Sequence, residues 1–237
     1  MIDHNPLRNN TTPLAPNVLL CIKLLVFGLL LKQYIQNIPA PYLPFFPVFE
    51  VFSDSQLIHR LLQLVFLFSS ICILFNVSPK KNSLVLGLLI FFITLCNQFY
   101  YSNNRIFCAC LFFLVGIAKT GEESKLIRWQ LALMYFGATF NKALEADWLS
   151  GVYFDNLLRN VVEQKYYILL AGKLPELLLA KLVAYSVIMT EGFLAFAFLF
   201  KRYLLLAVMV AVYFHSAALF LLKSDFQIYT TALLASY

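Results

Sequence analysis

Residues 201–223 read KRYLLLAVMVAVYFHSAALFLLK: a pair of cations, an apolar run from Tyr203 to Leu222 broken only by His215 and Ser216, and a further cation. A bilayer core is crossed by roughly 20 mostly apolar residues in one α-helix, and this run offers water no polar face. Working outward from it, comparable apolar runs fall at about 14–32, 57–77, 84–101, 106–118, 126–142 and 174–200. With 203–222 they predict an all-α fold, a polytopic helical membrane bundle of about seven transmembrane helices. The run Ile106–Ala118 is short for a full crossing, and a re-entrant segment is its alternative reading. Composition agrees, since 61% hydrophobic residues over 237 positions leave too little polar surface to coat a soluble globule.

The charge pattern orients the bundle. The net charge of +6 does not gather on one face, as nucleic-acid binding requires, but lies in short clusters between apolar runs. Arg8, then Lys80 and Lys81, then Lys119, Lys125 and Arg128, then Lys201 and Arg202 alternate along the chain, and such clusters are retained on the cytoplasmic side. The opposite connections carry Glu50, Asp54, Glu145, Asp147, Asp155, Glu163, Glu176 and Asp225. This predicts a cytoplasmic N-terminal tail (1–13), one transmembrane domain (14–237) with external loops at about 33–56 and 143–173, and an external or luminal C-terminus. Polar residues 1–12 hold too little positive charge for a cleaved signal peptide, so the first span is expected to be a retained anchor. The proline-rich run Pro39–Pro47 reads as a stiff interfacial loop with Tyr42, Phe45 and Phe46 toward lipid. Five cysteines (Cys21, Cys72, Cys96, Cys108, Cys110) lie in or beside apolar runs without metal-ligand spacing, so they are expected to pack, and no metal is predicted.

Ionisable residues inside apolar spans need a partner, a watery cavity or a function. Lys23 and Lys181 are placed to snorkel toward an interface. Glu191 lies ~16 Å before the turn at Lys201 and Arg202, His215 ~20 Å after it, and Lys142 ~21 Å beyond Arg128 on another helix. All three are thus expected in one layer, facing or not. They read either as a buried Lys142–Glu191 ion pair with His215 as hydrogen-bonding glue, or as a proton-handling site.

The segment YFGATFNKALEADWLSG, from Tyr135 to Gly151, resembles the signature helix and loop of the vitamin K-dependent gamma-carboxylase and its bacterial relatives, the horizontally transferred transmembrane domain (HTTM) proteins. The shared pattern is an aromatic and small-residue helix ending in Lys, then an acidic residue, Trp and Gly. Phe214, His215 and the stretch to LLASY resemble the family's last transmembrane region, and Glu191 falls near an acidic position of the helix before it. The resemblance implies that Lys142 is the base deprotonating a reduced quinone (a vitamin K-like hydroquinone), with O2 and CO2 as co-substrates, and that Glu191 and His215 share its catalytic site. It also implies that Tyr135, Asp147, Trp148 and Arg105 border the substrate or cofactor, and that Gly137, Ala138 and Thr139 allow close helix approach. Arg105 stands where the family carries His, and the chain does not extend into the carboxylase's large luminal region, which engages protein substrates.

The expected function is therefore a membrane-embedded, quinone-coupled proton abstraction or carboxylation. The expected partners are the lipid bilayer, a quinone or lipid ligand, and a membrane or secreted protein, with no nucleic acid. The alternatives are a non-catalytic membrane partner or assembly subunit and, less favoured for want of an inverted repeat, a small-solute or proton transporter.

Overall fold

Each of the seven apolar runs folds as a helix: α1 (Pro16–Leu31), α2 (Gln56–Leu74), α3 (Pro79–Cys96), α4 (Asn103–Ile117), α5 (Glu123–Leu144), and, after three short helices, α9 (Leu178–Ala197) and α10 (Leu204–Leu222). The short ones are α6 (Ala146–Ser150), α7 (Val152–Asn156) and α8 (Lys165–Ala171), and α11 (Gln227–Ser236) ends the chain. The computed structural model describes residues 14–33, 43–52, 56–222 and 227–236, and among these every regular element is helical. The tail with Arg8, the residues Pro39, Pro41 and Tyr42, and the acids Asp54 and Asp225 lie outside the described residues.

Among the described residues four helices are long and apolar enough to cross a membrane: α2, α3, α9, and α10 with the Lys201–Tyr203 turn ahead of it. The apolar helices α1 and α4 are shorter, and α5 carries Glu123, Lys125, Arg128 and Lys142 along its length. Local signals place several ends. Pro16 and Pro79 open α1 and α3, where a missing N–H costs nothing. Ser102 caps α4 by accepting from the Arg105 N–H at 3.3 Å.

The helices form two compact units, residues 1–127 with 231–237 and residues 128–230. In the first, α3 and α4 lie backbone against backbone. A β-carbon on Gly87 would stand 2.6 Å from the Phe113 nitrogen and 2.9 Å from the Ala109 carbonyl oxygen, and one on Gly116 would stand 2.7 Å from the Leu84 α-carbon. Glycine is what lets α4, the short segment, pack along α3. The helix α1 buries Val18, Cys21, Ile22, Leu25, Val26 and Leu29, a stripe at helical spacing. Cys21, Cys72, Cys96 and Cys108 are buried, Cys110 half-buried, and all five are unbridged thiols, as their setting in apolar runs predicts. The proline-rich segment docks on the end of α3 through Phe45 N–H to the Leu95 carbonyl (3.0 Å) and Gln98 N–H to the Leu43 carbonyl (2.6 Å). Phe45 and Phe46 stay exposed, but Pro47–Phe52 coils into a 3-10 turn that sets Phe49 and Phe52 edge-on against Phe92.

In the second unit the pattern of burial is inverted relative to a water-soluble protein. On α10 the buried residues are Leu204, Ala207, Ala211 and His215, while Leu205, Leu206, Met209, Val212, Tyr213, Leu219 and Phe220 are exposed. On α9 Ala180, Ala184, Glu191, Ala195 and Ala197 face inward with Leu194 the one large apolar residue among them, and Leu182, Met189, Phe193 and Phe196 face outward. Small and polar residues against neighbours with bulky apolar ones outside is the packing that lipid favours and water penalises.

The 143–173 connection folds into α6, α7 and α8 over α9. Its core is Phe154, Leu158 and Tyr167 against Ala180 and Ala184, with Trp148 packed on the edge. Gly151 pivots α6 into α7. Its φ is +81°, and its α-carbon sits so close to α9 that a β-carbon would stand 2.8 Å from the Lys181 nitrogen.

Candidate functional site

One face of α5 presents Tyr135 and Lys142, two turns and about 10 Å apart. The helix α9 answers with Phe198 just beyond its end and Glu191, spaced equally but running the other way, so the two helices match antiparallel. Lys142 Nζ donates to both oxygens of Glu191, at 2.7 Å to Oε1 and 2.6 Å to Oε2. The Glu191 side chain is 9% exposed and that of Lys142 18%, so this is a largely desolvated ion pair. A buried carboxylate is tolerable only with such a partner. Between the two levels Thr139 meets Gly192, where a β-carbon would touch the Thr139 methyl at 3.5 Å.

The other level is a ring cluster. Tyr135 stacks on Phe198 (centroids 5.9 Å, 3° between planes) and meets His215 edge-on, with its hydroxyl 2.7 Å from His215 Nε2. Tyr135 and His215 are both buried.

Of the three residues expected in one layer, Lys142 and Glu191 meet, whereas His215 bonds Tyr135, two turns back along α5. The helix α9 stops at Ala197 and α10 starts at Leu204, so rises counted from the cations at 201–202 do not measure the levels of Glu191 and His215. Of Gly137, Ala138 and Thr139, expected to allow close approach, Thr139 is at a helix contact and Gly137 is not. Nothing lies within 4 Å of a β-carbon there, and Thr139 against Gly192 makes the contact instead.

Trp148, on α6, lies over the pair with Lys142 Nζ 5.0 Å from its ring centroid. That is a cation–π distance. Trp148 is itself fixed by stacking on Tyr153 (4.6 Å) and by the edge of Phe154 (4.9 Å). Asp147 is exposed on the same short helix, and its carbonyl accepts from Ser150 Oγ at 3.2 Å. Arg105 belongs to the first unit, where its guanidinium donates to the Tyr100 carbonyl and lies 4.1 Å from the centroid of the Tyr100 ring. Lys181 opens the first turn of α9 and is exposed, which suits a snorkelling lysine. Lys23 is half-buried on α1.

Sequence reasoning missed a second polar cluster. Asp155 Oδ1 accepts from Tyr167 Oη at 2.6 Å and from Arg159 Nη2 at 3.0 Å, and its Oδ2 from Arg159 Nε at 3.2 Å. The i, i+4 spacing of Asp155 and Arg159 was the available signal. Tyr167 is distant in sequence and joins only because the chain widens into a π-helical turn at Leu157–Val161 and doubles back. Arg159 holds the Asp155 carboxyl below its ordinary 3.8, against an opposing effect of burial and with help from the Tyr167 hydroxyl. Burial, then Asp155, pushes the Tyr167 hydroxyl up. Asp155→Asn is expected to destabilise this cap by about 1–2 kcal/mol, allowing for its partial exposure. Because the folded value is depressed, the stabilisation is complete at neutral pH and is lost as pH falls below 3.8 through the folded value. Thermal unfolding in detergent should therefore separate the variant from the parent at pH 7 and bring them together in acid.

No protein-family model matches the chain, and neither a curated protein nor a solved structure resembles it closely enough to match.

Proposed function

We propose that the chain is an integral membrane protein of about seven spans, N-terminus cytoplasmic and C-terminus external or luminal, in which Lys142 is the base of a carboxylase-like, quinone-coupled proton abstraction. The observation that carries this reading is the Lys142–Glu191 pair under Trp148, in the segment that resembles the HTTM and carboxylase group. Two of the three donor positions on Nζ go to Glu191, and one is left for a ligand hydroxyl. The short contact to Glu191 also gives the Nζ proton an acceptor: its transfer leaves a neutral amine and a neutral acid, removing both charges from apolar surroundings. The neutral amine has the lone pair that a base needs.

A reduced quinone suits the residues present. Trp148, with Tyr153 stacked on it and the Lys142 ammonium over its ring, offers an aromatic edge beside Lys142, which supplies the polar contact that fixes a hydroxyl. Bound there, the quinone would supply the electrons for reaction with O2. The chain's own part is to hand the ammonium proton of Lys142 to Glu191, to turn the freed Nζ lone pair to the remaining position and take the hydroxyl proton there, and to cover the site with α6. Tyr135 and His215 stiffen the same face of α5.

The test uses purified full-length protein. Lipid extracted from it should contain a quinone by mass spectrometry, and added hydroquinones should drive oxygen uptake that falls by about 10²–10⁴-fold in Lys142→Ala. No quinone and no uptake across several hydroquinones would favour the second reading, a non-catalytic membrane partner. That reading has its own support in the contact of Lys142 with both carboxylate oxygens, which a purely structural ion pair would also make.

A further inference from the structure

Apart from the Lys142 face, the second unit holds a cleft of about 260 Å³ where α7, α8 and the turn into α9 meet. Its polar wall is Asp155, Arg159, Tyr167 and Glu176, and its apolar wall is Ala171, Pro175, Leu177 and Leu179. The charges on the polar wall do not balance. Asp155 and Arg159 neutralise each other at 3.0 Å, and Tyr167 takes up a further valence of the same carboxylate at 2.6 Å. Glu176 is exposed and has no ion pair or hydrogen bond through its side chain among the described residues, so the cleft keeps one uncompensated negative charge. Lys173 and Lys181, the cations nearest to Glu176 in sequence, do not line it.

The backbone supplies an independent sign. Leu177 takes φ +58°, ψ 0°, in the left-handed region that penalises a branched side chain, and no glycine relieves it. The Leu178 N–H donates to the Pro175 carbonyl at 3.1 Å and the Lys181 N–H to the Leu177 carbonyl at 2.9 Å, which hold the turn in place.

We infer that this cleft binds a short aliphatic primary ammonium, with its charge against Glu176 and its chain along Leu177, Leu179, Ala171 and Pro175. The volume admits a ligand of about eight non-hydrogen atoms, taking roughly 30 Å³ for each as for water in the liquid. The ammonium satisfies the one unpaired acid, and the apolar wall excludes water from the chain. A carboxylate of the same length meets Glu176 with like charge, and Arg159 is already engaged through Nε and Nη2.

The test compares n-pentylamine, pentanoate and 1-pentanol, of equal chain length, by titration calorimetry on the full chain in detergent at neutral pH. Saturable binding is expected for pentylammonium alone. Glu176→Gln alters an exposed side chain, so the protein should stay folded and its affinity fall about tenfold, the loss of one charge-assisted hydrogen bond. Ala171→Phe fills the cleft and should abolish saturable binding. Binding of pentanoate or pentanol as tight as that of the amine, or pentylammonium binding unchanged in Glu176→Gln, would overturn the inference. Neither outcome bears on Lys142.

Discussion

Lys142→Ala is expected to destabilise the protein by about 3–5 kcal/mol and to abolish whatever chemistry the site performs. The stability loss follows from Glu191, which is left with a carboxylate 9% exposed and without the donor that made contact with both its oxygens. Removing one member of a buried pair costs more than the pair contributes, because the survivor keeps its desolvation penalty. The combined change Lys142→Met with Glu191→Gln removes both charges and should restore most of the stability. Activity then separates the roles. A catalytic lysine stays lost in the double variant, whereas a structural pair gives back stability and activity together. Denaturation in detergent followed by tryptophan emission reads the first quantity, since Trp148 lies over the pair. If Lys142→Ala unfolds at the same midpoint as the parent, the pair is not a buried ion pair and the base reading falls with it.

Gly87→Leu should be as damaging, for a reason unconnected with charge. The β-carbon alone would stand 2.6 Å from the Phe113 nitrogen and 2.9 Å from the Ala109 carbonyl, both backbone atoms that no rotamer change can move. The helices α3 and α4 would have to separate, at about 3 kcal/mol or more for the leucine and about 1–3 for Gly87→Ala. Gly28 and Gly137 are the controls, because nothing lies within 4 Å of a β-carbon at either. Alanine there should be neutral or mildly stabilising through helix propensity. Equal loss at Gly28 and Gly87 would mean that close approach is not what the glycine supplies.

Much of the architecture was legible before any coordinates. Seven apolar runs mark the seven principal helices within a few residues, because hydropathy along the chain is a local property and helix formation in an apolar setting is nearly obligatory. Helix ends were less legible. The apolar run continues past Ala197 to Phe200, while the helix does not. The Lys142–Glu191 pair was one of two readings that the sequence offered, because unpaired charges in lipid are costly enough to limit the choices.

Azimuth is what the sequence by itself left open. Spacing along one helix says which residues share a face, as Tyr135 and Lys142 do, but not which neighbour that face meets. The tertiary structure assigned Glu191 to Lys142 and His215 to Tyr135, sent Gly137 into open space, and chose Gly87 and Gly116 for the tight crossing. It also brought Tyr167 back onto Asp155. Such pairings depend on the rotation and register of whole helices, which are set by the summed packing of many side chains rather than by any local run of sequence. Composition and periodicity sufficed for an all-helical chain with helices apolar enough for a bilayer; which polar groups pair inside it was decided only by the packed fold.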